Sequence, residues 1–436
     1  MTDAARNLDI ATASREAEAA YVAANPTSQR LMEEAAAVMP GGNTRTVLYY
    51  PPFPLTIVRG EGARVWDADG HEYCDFLGEF TAGLYGHSHP LIRAAIEAKL
   101  DDGLLMGAPG ELEAKLAAEL CRRFPSLDRV RLCNSGTEAN MLALSAARAV
   151  SGREAIMVFE GAYHGAVFVF GPGGSPLNAP FPFVIGRYND AEGAAKLIDE
   201  HAADLAAVIV EPMQGAGGCI PGEPDFLQTL RDATERHGIV LVFDEVMTSR
   251  TGGGGLQTEL GIVPDMTTLG KYVGGGMPSG AFGGRAEIMD RFDPRRPDAF
   301  MHAGTFNNHV LTMAAGLTGL TEIYSTGAAA ELDRRGQDLR RRLNAAASDR
   351  GLAVQVTGVG SLSTVHFQSG PIRCIEDLCS DPEARTLFQL DLLARGIYSP
   401  RRNMMNLSLP MSEADIDGLV AVFEEFLDDR GPLLAS

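Results

Sequence analysis

Two stretches of this chain, Leu205–Val210 and residues 239–243, are short and wholly apolar, and each is followed at once by a carboxylate, Glu211 or Asp244. A strand that is apolar at every position has to be covered on both faces. Runs this short cannot cross a bilayer. Helical patterns lie between such runs. Residues 111–124 read as a helix leading to a short strand at 130–133, and a long Ala/Leu helix ends near residue 150. Residues 155–159 form another strand and residues 225–237 another helix. This alternation calls for an α/β fold, with a mostly parallel sheet sandwiched by helices. Ligands bind such sheets beyond the carboxyl ends of the strands.

The flanks have a different character. Residues 1–40, rich in Ala and Glu, read as one or two amphipathic helices. Pro51 and Pro52 keep the stretch after Arg45 out of regular helix. Short strands are expected over 55–77, and His87 and His89 read as loop residues with no third metal ligand near them. From about residue 310 the glycine turns thin out. Helices at 310–324, 328–350 and 415–427, with strands near 354–357 and 361–367, predict a smaller α+β unit, and the stretch around Ile397 and Tyr398 is expected to be a loop. The expected organisation is an N-terminal segment (1–65) packed with the small unit, a large ligand-binding unit (66–310) and the small C-terminal unit (311–436).

The balance of residue types excludes several function classes. The formal net charge of −20 repels phosphate backbones and anionic lipid, so neither nucleic acid nor a membrane is expected as a partner. The six cysteines are scattered and form no C-x-x-C pair, which speaks against a disulfide framework or a zinc site. The stretch Met-Thr-Asp-Ala-Ala-Arg at the start carries no apolar run, and the expected location is the cytoplasm.

Polar residues gather where the predicted strands end. Asn134-Ser135-Gly136-Thr137-Glu138 stands between a strand and a helix. That puts backbone N–H groups and two hydroxyls at a helix N-terminus, a ready phosphate site. Ser135 and Thr137 also fit a plain N-cap. Tyr163 and His164 follow one strand, Glu211 and Gln214 another, and Asp244 a third. Lys271 ends a short apolar approach and opens a loop that holds six glycines before Arg285. A desolvated lysine loses its proton readily and forms Schiff bases with carbonyls. Alone, the stretch reads as a solvated lysine on a flexible surface loop. Five polar features converging on one sheet edge favour the reactive lysine.

Pyridoxal phosphate uses all of these features. Its aldehyde takes a lysine, its phosphate takes an anion site and its ring takes an aromatic neighbour. A buried carboxylate such as Asp244 keeps its pyridine nitrogen protonated, and the pyridinium in turn supplies the charge partner that the carboxylate needs.

The motifs Ser135-Gly136-Thr137-Glu138-Ala139, Tyr163-His164-Gly165, Glu211-Pro212-Met213-Gln214-Gly215, Asp244-Glu245-Val246 and the Lys271 loop, in this order and over most of the chain, resemble the class III aminotransferases. These are fold type I pyridoxal-phosphate enzymes. The resemblance implies that Lys271 binds the cofactor as a Schiff base and shuttles a proton, and that Asp244 pairs with the pyridinium. It implies that Ser135, Gly136 and Thr137 hold the phosphate and that Tyr163 stacks on the ring with His164 beside it. Glu211, Gln214 and Val246 would border the cofactor. Thr305 would reach the phosphate of a neighbouring subunit, which implies a homodimer with shared sites. The glycine loop is also similar to that of glutamate-1-semialdehyde aminomutase, but Gln214 follows the aminotransferase pattern, so transamination is expected. Arg45 with Tyr49 and Tyr50, and Tyr398-Ser399-Pro400-Arg401, resemble the aromatic β-amino acid aminotransferases. There Arg45 would hold the β-amino acid carboxylate, and Arg401, or its neighbour Arg402, that of the keto acid. The implied reaction moves an amino group from a β-phenylalanine-like acid or related amine to pyruvate or 2-oxoglutarate by a ping-pong mechanism. An aminomutase or racemase on the same cofactor is the alternative. A catalytically silent binding protein is disfavoured by the joint presence of Lys271 and Asp244.

Overall fold

The structure, a computed structural model of the chain, describes residues 9–379 and 381–434. Seven strands form one sheet, in the order Arg129–Cys133, Gly280–Gly284, Met266–Gly270, Val240–Asp244, Leu205–Val210, Ala155–Phe159 and Phe183–Gly186. Gly280–Gly284 runs antiparallel to both of its neighbours, and the other six strands are parallel.

The apolar strands are explained by the two cores they serve. On one face, Ala139, Ala143 and Ala147 of the helix Gly136–Ser151 pack with Ile156, Val158, Ile209 and Val242. On the other, the helices Ala191–Glu200 and Pro224–His237 bring Ile198, Phe226, Leu227 and Leu230 to Met157, Phe159, Val208, Leu241 and Phe243. Successive residues of a strand point to opposite faces, so each strand feeds both cores in turn. A fully buried side chain of this size contributes about 1.5–3 kcal/mol. The parallel strands therefore end together, and Cys133, Phe159, Val210, Asp244 and Gly270 define a single edge.

Two segments expected to be loops are strands. Residues 280–284 form the antiparallel member of the large sheet, where glycine serves close packing rather than flexibility. A Cβ on Gly280 would collide with the Ser135 carbonyl, and one on Gly283 would collide with the Arg129 carbonyl. Ile397–Tyr398 runs parallel to Glu72–Asp75 and closes a four-stranded sheet with Ile57–Glu61 and Arg64–Asp67. Strands Gln355–Thr357, Leu362–His366 and Met404–Asn406 make a three-stranded sheet. Helices Ile10–Ala24 and Pro26–Ala36 lead the described chain, while residues 1–8 of the expected N-terminal helices lie outside the described residues. No helix among the described residues is long and apolar enough to cross a membrane.

Candidate active site

Strand register brings the lysine and the acid together. Asp244 ends its strand opposite Thr268 of the next parallel strand. Lys271 leaves that second strand three residues later, at the same edge, and adjacent strands lie about 4.8 Å apart. Lys271 has φ +57°, a left-handed conformation that is uncommon for a residue with a side chain. Burial draws its amine down to about 8. The Asp244 and Glu211 carboxylates oppose that shift, and the Arg402 and Arg45 guanidinium groups add to it.

Asp244 is 5% exposed. Its Oδ1 accepts from Val246 N–H at 3.0 Å, and its Oδ2 accepts from Asn140 Nδ2 at 2.8 Å. His164 Nδ1 lies 2.8 Å from the same Oδ2. Asn140 also donates to the His164 carbonyl and accepts from the Thr268 hydroxyl at 2.6 Å. Sequence reading missed Asn140 and Thr268 as site residues. The signal was a lone asparagine on the Ala-rich face of the helix Gly136–Ser151.

The helix N-terminus sits directly beside the lysine. Ser135 is the N-cap, accepting from Glu138 N–H at 3.1 Å, so the capping role weighed for this residue is the one its hydroxyl fills. The Thr137 hydroxyl accepts from Ala166 N–H at 3.2 Å. The first-turn N–H groups of an α-helix have no intrahelical acceptors. A Cβ on Gly136 would lie 2.9 Å from both Val246 methyls, and one on Gly270 would lie 3.3 Å from Gly136 N. Glycine at both positions and Val246 between them let the helix start close on the residue before Lys271.

Tyr163 keeps 45% of its surface exposed, so its ring is open to a ligand. Its backbone is tied down by Glu211, whose carboxylate accepts from Tyr163 N–H at 3.0 Å and Gly215 N–H at 2.9 Å. Burial first, then Asp244, pushes the Glu211 carboxyl up to about 7, while His164 and the two N–H groups pull the other way. Gln214 donates from Nε2 to the Glu160 carbonyl at 2.7 Å, and its buried Oε1 has no partner among the described residues.

Arg45 pairs with Glu79, and its Cζ lies 5.3 Å from the centroid of Phe80. Arg402 stacks on the same ring at 4.6 Å. Arg401 is turned elsewhere, donating to Gln389 and Thr386 side chains and the Pro51 carbonyl and lying over Tyr50. Arg401, which the resemblance assigns to the keto acid carboxylate, is thus engaged away from Phe80, while its neighbour Arg402 lies over that ring beside Arg45. Thr305 lies on an exposed turn and makes no hydrogen bond to residues 135–137 of its own chain.

The family model for class III aminotransferases matches residues 48–171 and 176–387. The chain belongs to the class III aminotransferases. This class III aminotransferase is 52% identical to a β-phenylalanine transaminase of Variovorax paradoxus, over 100% of this chain and 99% of that protein. A solved β-phenylalanine aminotransferase from the same organism superposes with a TM-score of 0.96, covering 97% of this chain and 99% of that one. It is 41% identical to a glutamate-1-semialdehyde 2,1-aminomutase of Sorangium cellulosum, over 92% of this chain and 96% of that protein. A transaminase solved with pyridoxal phosphate bound shares the fold at a TM-score of 0.85 and 33% identity, covering 94% of this chain and 98% of that one.

As a class III aminotransferase the protein is a pyridoxal-phosphate enzyme, and the site fits that group. Burial draws the Lys271 amine down to about 8, and the Asp244 Oδ1 carries a single donor where a carboxylate oxygen takes two. A glycine-cleared helix start and the half-exposed Tyr163 ring adjoin them. These are the partners that an aldehyde, a pyridinium, a phosphate and an aromatic ring require.

Proposed function

We propose that this aminotransferase moves the amino group of an aromatic β-amino acid, β-phenylalanine or a close analogue, to pyruvate or 2-oxoglutarate in two half-reactions. The observation that carries the reading is the pair of guanidinium groups over one phenylalanine ring, Arg45 and Arg402, both of which act on the Lys271 amine. Two carboxylate clamps at one lysine suit two acid substrates taken in turn. A guanidinium fork matches a carboxylate and fixes its orientation. Arg45 would hold the donor carboxylate and Arg402 that of the keto acid. The identity to a β-phenylalanine transaminase supports the donor class.

In this reading Lys271, Asp244, Tyr163, Gln214 and the turn at 135–137 hold the cofactor, with Val246 and Gly136 shaping the phosphate end. Glu211 and His164 act as positioning residues for Tyr163 and Asp244. Bound there, pyridoxal phosphate supplies an electrophilic carbonyl carbon and a sink for the electrons released when a proton leaves the substrate. The neutral Lys271 amine takes the proton from the amine-bearing carbon of the donor. In the second half-reaction it delivers a proton to the former keto carbon of the acceptor. Asp244 keeps a positive charge on the group it faces, and its own geometry is fixed by Asn140 and His164. Arg45 and Arg402 hold the reacting carbon over the lysine, so that proton transfer needs no further search. Thr305 belongs to this reading through a second copy of the chain in a homodimer.

Amino-group transfer is the direct test. Holoenzyme with β-phenylalanine and 2-oxoglutarate or pyruvate is expected to form glutamate or alanine. Arg45→Gln is expected to weaken apparent donor binding at least tenfold in steady-state kinetics, with a smaller effect on the keto acid, and Arg402→Gln to do the reverse. Turnover of a β-amino acid without any keto acid would move the assignment to an aminomutase or racemase.

A further inference from the structure

Four consecutive residues, Gly78–Thr81, have left-handed backbones, with φ of +49°, +48°, +52° and +83°. Three of them carry side chains, and such runs persist only where the surroundings impose them. The surroundings here do so from several sides. Asp75 Oδ1 accepts from Leu77 N–H at 3.0 Å and Gly78 N–H at 2.9 Å. Asn406 lies against the Gly78 Cα, where a Cβ would come within 2.5 Å of its Oδ1, and it donates to the Leu77 carbonyl. Arg250, 0% exposed, donates to the Thr81 carbonyl at 3.3 Å and to the Leu407 carbonyl.

The outcome of that turn is specific. Phe80 is buried and lies under both guanidinium groups, while Glu79 is exposed and its carboxylate sits on Arg45. The two guanidinium groups are therefore unequal. Arg45 already holds a carboxylate. Apart from the Phe80 ring, Arg402 makes a weak hydrogen bond to Met404 Sδ, and its Nε has no partner among the described residues.

We propose that Glu79 is a built-in competitor for the carboxylate subsite at Arg45, so that a donor acid must displace it to bind while a keto acid on Arg402 meets no such rival. The proposal rests on the reading of Arg45 as the donor clamp. Glu79 then weakens the binding of every donor acid and leaves amines without a carboxylate untouched, which narrows the preference of the enzyme for acids over simple amines. It also keeps the Arg45 fork folded over Phe80 when no donor is present. The pair is exposed to solvent, and exposed pairs are weak, so the displacement cost amounts to roughly a two- to fivefold loss of affinity.

The test is calorimetric binding of 3-phenylpropanoate, a donor analogue without the amine, to the holoenzyme. Glu79→Gln is expected to tighten binding roughly two- to fivefold. Arg45→Gln is expected to weaken it, and adding Glu79→Gln to Arg45→Gln is expected to change nothing further. Apparent binding of the keto acid, held on Arg402, is expected to stay within about twofold in Glu79→Gln. If Arg45→Gln weakens binding but Glu79→Gln does not tighten it, Glu79 is a bystander and the proposal is wrong. If Arg45→Gln leaves the affinity unchanged, the donor-clamp reading itself fails. If Glu79→Gln tightens binding equally with and without Arg45, the competition is not at Arg45.

Discussion

The amine of Lys271 is the group on which the chemistry turns, and its charge state is set first by burial and then by four named neighbours. Only the neutral amine attacks a carbonyl. With the ammonium drawn down to about 8, the fraction of neutral amine rises as pH rises through that value. Apoprotein mixed with pyridoxal phosphate in a stopped-flow absorbance experiment is expected to capture it faster as pH climbs, with a midpoint near 8. Arg402→Gln removes one of the positive charges that lower this value, so its midpoint is expected to move up. Lys271→Ala is expected to show no covalent capture at any pH. Behind the lysine, Asn140→Leu would leave the Thr268 hydroxyl without its acceptor and remove one of the donors to Asp244. An unsatisfied buried group costs about 1–3 kcal/mol, so cofactor affinity is expected to fall roughly tenfold or more, read by equilibrium dialysis. The lysine, the acid and the strand-end tyrosine were legible in the sequence, because each stands at or within a few residues of the end of a short strand. Asn140 was not, because only contact with strands far along the chain makes it a hydrogen-bond donor to Asp244. Glu79 and Phe80 were not either, because nothing local marks three side-chain-bearing residues as left-handed.

Among the elements, the strand Gly280–Gly284 decides how closely the rest can pack. It lies between the strand that ends before Ser135 and the strand that ends before Lys271. Its Cα at residue 280 rests against the Ser135 carbonyl and near Cys133 Sγ. Gly280→Ala is therefore expected to force the helix start away from the lysine. Overpacking of this kind costs about 1–3 kcal/mol, so a lower denaturation midpoint and weaker cofactor retention are expected together. Gly418, inside the helix Glu413–Leu434, is the contrast: a Cβ there meets nothing within 4 Å. Gly418→Ala is expected to stabilise the chain by about 0.5–1 kcal/mol in urea unfolding, with activity unchanged. A glycine's place in the sequence says nothing of what stands where its Cβ would be. What separates a packing glycine from a spare one is the neighbour that stands where its Cβ would be.

For the whole molecule, the exposed apolar residues Leu104, Leu105, Met106, Met301 and Phe306 matter most. The chain just beyond 301–306 is tied to the 104–108 segment, where Asn308 Nδ2 donates to the Ala108 carbonyl and Val310 N–H to the Leu104 carbonyl, and Thr305 lies in the adjoining turn. The proposed homodimer would cover these side chains and bring Thr305 to the partner's phosphate end. Sedimentation of the native protein is expected to give a dimer. Phe306→Asp is expected to shift it toward monomer and to loosen cofactor binding in proportion, since the two would share a cause.

Sequence alone determined the parallel centre of the sheet and its functional edge. Runs that are apolar at every position must be covered on both faces, and polar side chains that follow such strands, or follow them after a short turn, emerge at one edge. Tertiary structure alone decided which of the two neighbouring arginines lies over Phe80, which glycines are there for contact, and where a left-handed turn carries Glu79. Those outcomes depend on which distant segments lie side by side: residue 398 beside residue 75, residue 280 beside residue 133 and residue 406 against residue 78. Nothing in the local sequence encodes such pairings, because hydrophobic periodicity fixes which face of an element is buried and leaves open what it is buried against.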